Sequence, residues 1–238
     1  MKNIYSCLLI LTFFASCNND LDTVKEGAAT TIGHRTISET LPLNTSNPYD
    51  YVGQLHDELF ESYYASGNLP TSVSGIANRV EAIANENTQF NAIKSSTYHA
   101  VSSERLQYIL DHKSTYLTDV ITASSMTAKA KLSLSTFINS LVVVFDTETN
   151  CDVLYQFVAD YETEIIGDPL LTEKDKQIML TTTSIGRHSA YLAKKKPKKN
   201  TDPDWTILIV NVVAAADGAE FGKAEAITLA LAAGIATN

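Results

Sequence analysis

From Ala214 to Gly234 a small residue stands at every fourth position: Ala214, Gly218, Gly222, Ala226, Ala230 and Gly234. Residues four apart lie on one face of a helix, so this spacing builds a stripe nearly bare of side chains. No other feature of the chain is as restrictive, because such a stripe has a use only where another backbone comes close. The segment from Trp205 to Asn238 is therefore expected to be one helix, or two helices in close register, pressed against a neighbour. In membranes the same geometry drives helix pairing. Here Asp217, Glu220, Lys223 and Glu225 fall in the middle of the segment, and each central charge costs about 2.5 to 3.5 kcal/mol on insertion scales. The apolar stretches on either side are well short of the roughly 20 residues a span requires. A monomeric span is not expected. A buried hairpin or terminal helix is the leading expectation; a pore-forming or toxin-like tail and a protein-partner surface are its alternatives.

Upstream, apolar residues recur at three-to-four-residue spacing, the period of a half-buried helix. Val52, Leu55, Leu59, Phe60 and Tyr63 mark a helix from about Asp50 to Tyr64, which Asn68-Leu69-Pro70 breaks. Thr71 or Ser72 can cap a second, with Val73, Ile76, Ala77, Val80, Ile83 and Ala84 on one side. Further helices are expected over Ser103 to Lys113, Lys129 to Phe145 and Cys151 to Ile166, the last ended by Gly167-Asp168-Pro169. Thr172-Glu173-Lys174-Asp175 resembles a capping box opening another that runs toward Ala193. Asp202-Pro203 reads as an N-cap followed by proline at the first helical position. Together these predict an all-α fold, a multi-helix bundle with an alanine-rich C-terminal helix or helical hairpin. Two runs compete with that reading. Leu141 to Phe145 and Ile207 to Val210 are β-branched enough to be buried strands.

The amino terminus carries a different signal. Lys2 precedes an apolar run from Ile4 to Phe14 that is too short for a permanent span, the layout of a secretory signal peptide. Phe14-Ala15-Ser16-Cys17 follows it and resembles the bacterial lipobox, with Phe where the pattern prefers Leu. The resemblance implies cleavage before Cys17 and lipidation of its thiol. Two or three acyl chains would tether the protein to a membrane without a span. Asn18-Asn19-Asp20-Leu21-Asp22 partly resembles the acidic signal that sends Bacteroidota lipoproteins to the cell surface. Asn47-Pro48-Tyr49-Asp50-Tyr51-Val52-Gly53-Gln54-Leu55-His56, with Trp205 and Asp217-Gly218-Ala219, is similar to an uncharacterised group of Bacteroidota lipoproteins, a likeness that implies no activity. The expected organisation is a signal peptide over 1–16, a flexible tether over 17–47, a helical domain over 48–200 and an alanine-rich segment over 201–238 packed on it. The expected place is the outer membrane, on its periplasmic side or at the cell surface.

The formal net charge is −9, which argues against a nucleic-acid partner, since phosphate binding needs concentrated Lys and Arg. The one concentration, Lys194-Lys195-Lys196-Pro197-Lys198-Lys199, reads as a solvated linker, with attraction to anionic lipid or polysaccharide, or cutting by a basic-specific protease, as the alternatives. Cys7 leaves with the signal and lipid consumes Cys17, so Cys151 is the one thiol left and no internal disulfide can form.

Candidate chemistry is sparse. Asp146, Glu148, Asn150 and Asp152 alternate like the ligands of a calcium loop, but Cys151 and Phe157 stand where an EF-hand needs its glycine and its bidentate glutamate. A helix-capping turn is the expectation there. His56-Asp57-Glu58 with Glu61 lacks the HExxH spacing of a zinc hydrolase, and His56 is expected to be partly buried and hydrogen-bonded. His34, His99, His112 and His188 are given no role. No nucleophile elbow or glycine-rich phosphate loop is present. No catalytic residue, metal or cofactor is assigned; the one modified residue expected is Cys17. The expected function is that of an envelope-anchored, non-enzymatic binding or structural module, with a protein or polysaccharide partner. Tyr49, Tyr51, Tyr63 and Tyr64 offer it a recognition surface or part of its core. The alternatives are an envelope hydrolase assembled from distant residues such as His56 and Glu61, and a toxin acting through the alanine-rich segment.

Overall fold

The computed structural model describes residues 42–148, 150–195 and 204–237. The lipobox-like stretch with Cys17, the tether up to residue 41, the basic run beyond Lys195 and Asp202-Pro203 lie outside them. Among the described residues there are ten helices and no strand. In chain order they are α1 (Asp50–Ala65), α2 (Val73–Glu86), α3 (Thr88–Ile93), α4 (Ser103–Asp111), α5 (Tyr116–Ala123), α6 (Ala128–Thr147), α7 (Cys151–Gly167), α8 (Glu173–Lys195), α9 (Asp204–Ala219) and α10 (Lys223–Thr237). The fold is all-α, a multi-helix bundle.

Three of these helices form the inside. Every residue of α10 from Ala224 to Ile235 is buried, as is every residue of α8 from Ile178 to Ala190 and of α9 from Val210 to Ala216. A helix apolar all round, as α9 and α10 nearly are, belongs in the middle of a protein; α8 joins them with a polar buried stretch, Thr181 to Ser184 and Arg187 to Ser189. The other helices sheathe this trio: α1 and α7 on α8, α2, α3 and α4 on α10, and α5 and α6 on α9. The outer helices each turn one apolar face inward, and Leu55, Leu59, Leu106, Ile109, Leu134, Ile138 and Leu141 are at most 1% exposed. Each contributes about 1.5 to 3 kcal/mol by leaving water.

The alanine-rich segment is thus a hairpin, α9 and α10, and its bare stripe is used within the pair. A Cβ on Gly218 would lie 2.5 Å from Glu225 O and 2.6 Å from Ala226 Cα, and one on Gly234 would lie 2.7 Å from Asn211 Oδ1. The charges that argued against insertion hold the hairpin to its sheath. Asp217 accepts hydrogen bonds from Arg105 and from Tyr116 Oη at 2.8 Å. Glu220 accepts from Ser124, from Ser125 N–H at 3.1 Å and from Ser125 Oγ at 2.7 Å, and Glu225 accepts from His99 N–H at 3.2 Å.

Local signals set several boundaries. Ser72 Oγ accepts from Gly75 N–H at 3.2 Å, and Gly67, at φ 79°, takes the left-handed turn that ends α1. The capping box at α8 is reciprocal: Thr172 Oγ1 accepts from Asp175 N–H at 3.0 Å, and Asp175 Oδ2 accepts from Thr172 N–H at 3.0 Å. Asp175 also accepts from Thr127 N–H at 2.9 Å and Thr127 Oγ1 at 3.0 Å, which joins the start of α8 to the start of α6. The two β-branched runs are helical, inside α6 and α9. In α6 the buried positions Leu134, Phe137, Ile138, Leu141 and Phe145 keep the helical period straight through the valines. By length and composition α6 would also pass as a membrane span, but its inner face is packed in the bundle.

Candidate functional site

Charged side chains from four places converge inside the bundle. The turn ahead of α1 brings Asn44 and Asn47, α1 brings Asp50, His56 and Asp57, α7 brings Glu162, and α8 brings Ser184, Arg187 and His188. They meet because α1 crosses α8 with almost no gap. A Cβ on Gly53 would lie 2.5 Å from His188 Cδ2 and 2.6 Å from Ser184 O, so only glycine fits. Gly53 N–H donates to Ser184 Oγ at 3.0 Å, and the Ser184 hydroxyl donates to Asp50 O at 3.0 Å. That crossing satisfies a first-turn N–H that α1 itself leaves open.

Around the crossing the ions close on one another. Arg187 Nη2 lies 2.5 Å from Asp50 Oδ1, and its Nε lies 3.3 Å from Glu162 Oε2. Glu162, with no exposed surface, also accepts from Asn44 Nδ2 at 2.6 Å and Asn47 Nδ2 at 2.8 Å. His188 Nδ1 bonds Asp57 Oδ2 at 2.7 Å, and its Nε2 stands 3.8 Å from Asp50 Oδ1. Burial pushes the Asp50 carboxyl up, but the His188 ring nearby, hydrogen bonds from Arg187 and the Asn44 N–H, and the Arg187 charge hold it far below the usual carboxylate range. Asp57 is likewise opposed by burial and lowered by its His188 hydrogen bond and the charges of His188 and His56. Burial pulls His188 down, while Asp50 and Asp57 outweigh it and raise its pKa above the ordinary value.

His56 sits at the edge of this set, 1% exposed, with Nδ1 3.6 Å from Asp57 Oδ1. Neither ring nitrogen has a hydrogen-bond partner among the described residues. The expectation that His56 is hydrogen-bonded is corrected on this point, and its burial is deeper than expected. Glu61 faces solvent on α1 while His56 faces the core, so the two do not make a site. A cavity of about 10 Å³ beside Arg187, lined also by Leu154, Tyr155 and Val158, has room for about one water. His188 is fully buried. What the cluster does chemically is lock α1, α7 and α8 into one register.

The other sequence candidates fall elsewhere. In the calcium-like run, Asn150 Oδ1 accepts from Asp152 N–H at 2.9 Å and Glu148 Oε1 accepts from Asn150 N–H at 2.8 Å, a cap for α7. Among the described residues no group of three or more His, Cys, Asp or Glu is placed to hold a metal ion. Tyr63 is core, Tyr64 lies half-buried against it at 5.4 Å between ring centroids, and Tyr49 and Tyr51 flank Lys223 at 5.9 and 5.8 Å. The four tyrosines therefore do not share one exposed surface. An open hollow of about 670 Å³ between α2 and α4 carries Glu104, Tyr108, Asp111 and His112. His112 is engaged there, with Nδ1 2.9 Å from Tyr108 O and its ring stacked on Tyr108.

The sequence did not single out Arg187, His188 or Glu162, although Asn47, Asp50, Gly53 and His56 all lie in the stretch Asn47 to His56 that it did. A run of polar residues through the buried middle of α8, Thr181 to Ser184 and Arg187 to Ser189, is the signal that was there to be read. Comparison of the chain with models of known protein families, with curated proteins and with solved structures finds no match.

Proposed function

We propose that this chain is a lipid-anchored, non-enzymatic module of the bacterial envelope, held at the outer membrane through Cys17, whose bundle serves as a binding or structural element for a protein or polysaccharide at the cell surface. The observation that carries the non-enzymatic part is the closure of the Asp50, Asp57, Glu162, Arg187 and His188 set. Asp50 and Glu162 are paired with Arg187, and Asp57 with His188, none of them more than 13% exposed, which suits a group that joins helices better than one that meets a substrate. Support for the anchor comes from the sequence, in Phe14-Ala15-Ser16-Cys17 placed directly after a short apolar run.

Mass spectrometry of the natural product tests the anchor. The expected species begins at Cys17 and carries a diacylglyceryl thioether, and Cys17→Ser is expected to abolish the thioether and leave residues 1–16 attached. An unmodified Cys17 thiol, or a leader still attached, would overturn the reading.

A further inference from the structure

The outward face of α6 carries two of the exposed large hydrophobic side chains, Leu132 and Val143. Between its end residues Ala128 and Thr147, which are also exposed, the exposed positions are Lys129, Leu132, Thr136, Asn139, Val143 and Asp146, spaced 3, 4, 3, 4 and 3 residues apart, which is the spacing of a coiled-coil seam. Leu132 is 70% exposed and Val143 61%. From Leu132 to Phe145 there is no charged residue, in a chain with a net charge of −9. The adjoining α7 exposes Asp152, Asp160 and Glu164 together with Val153 and Ile166.

The stripe is also its own complement. Laid antiparallel on a copy of itself, Lys129 faces Asp146, Leu132 faces Val143 and Thr136 faces Asn139, each pairing occurring twice. A two-fold contact requires a self-complementary surface of this kind. We propose that a second copy of this chain docks here, α6 against α6, antiparallel about a two-fold axis between Thr136 and Asn139.

A lipid surface is the competing occupant, and the stripe's centre disfavours it. Thr136 and Asn139 would face hydrocarbon with no partner, whereas in the paired helices each finds the other. A polar residue at the centre of such a seam also fixes its register. The acidic flank on α7 would in addition be repelled by anionic headgroups. In one copy Lys129 Nζ is 2.5 Å from Asp168 Oδ2 and remains 46% exposed; in the pair it stands between Asp168 and Asp146 of the second copy. The seam is about 26 Å long at 1.5 Å per residue, and one helix pair buries less than the roughly 800 Å² per partner of a standard interface. The dimer is therefore one of modest affinity.

Sedimentation of the chain from residue 17 to 238 carrying Cys17→Ser, over a range of concentrations, tests this. The expected result is a monomer and dimer in exchange, with Leu132→Asp or Val143→Asp weakening association about tenfold or more while helicity is kept. Charge reversal makes the register falsifiable. Lys129→Glu and Asp146→Lys are each expected to weaken self-association, and mixing the two variants is expected to restore it as a heterodimer, since both contacts then join opposite charges. A chain monomeric at every concentration overturns the proposal, as does a mixture that associates no better than its components. Binding to zwitterionic vesicles that Leu132→Asp abolishes, with no self-association to lose, would show that lipid covers this face instead.

Discussion

His188 stands between two carboxylates, with Asp57 at 2.7 Å and Asp50 at 3.8 Å, and with the Arg187 cation beside it as an opposing charge. Its pKa is raised in the fold, so the stability it contributes is complete below its unfolded pKa of about 6.5 and is lost as pH rises through the folded value. Asp50 and Asp57 work in the other direction. Their lowered pKa values contribute stability that is complete above about pH 4 and is lost as pH falls through their folded values. Thermal melts are expected to show a plateau from about pH 4 to 6.5 with a decline on each side. His188→Gln is expected to lower the plateau and flatten the alkaline decline. A wild-type melting temperature that stays level from pH 6 to 9 would mean that His188 is neutral in the folded chain. None of this was legible in the sequence at residue scale, because Asp57 and His188 are 131 positions apart. Only the fold makes them neighbours.

Long helices with one apolar face announced themselves: α1, α2, α6 and α7 fall within a few residues of where their periodicity put them. Short ones did not. α3 has six residues and α5 eight, too few for a period to separate from chance, and only their packing on α10 and α9 keeps them helical. The bare stripe was legible too, but what it met was not, since spacing alone cannot say whether the second backbone is a distant helix or the other arm of a hairpin. It is the other arm, which makes a prediction at this scale. Alanine in place of a helical glycine normally gains about 1 kcal/mol. At Gly218 the added Cβ would meet only α10 backbone, at 2.5 to 2.6 Å, and backbone cannot swing aside as a side chain can. Gly218→Ala is expected to destabilise by about 1 to 3 kcal/mol, read from the urea midpoint. Gly167→Ala, with nothing within 4 Å of its Cβ, is the matched control and is expected to be neutral or slightly stabilising. Equal midpoints for the two variants would show that α9 and α10 sit farther apart than this packing has them.

At the scale of the whole molecule, the segment that composition sets apart is the one in the middle. An amphipathic helix shows its place through its two faces, but α10 has no polar face to contrast with an apolar one, so a period argument says nothing about where it goes. Residues 201–238 can be read as a unit packed on a domain of 48–200, yet α1, α2, α3, α4, α5, α6 and α8 all touch one or both arms of the hairpin. Without it, Val80, Ile83, Phe90, Leu106 and Ile109 would lose the helix they cover, and the polar buried stretch of α8 would face water on the side now taken by α9. What remains among the outer helices is too little packed surface to offset the entropy of ordering them. A chain ending at residue 200 is therefore expected to show no cooperative thermal or urea transition and to be cut rapidly by protease, while the chain through residue 238 unfolds in one step. The same dependence bears on a tail that acts by leaving the bundle: releasing the hairpin would require unfolding the core. A truncated chain that melts cooperatively, with its amides protected from exchange, would show that the outer helices hold a core of their own.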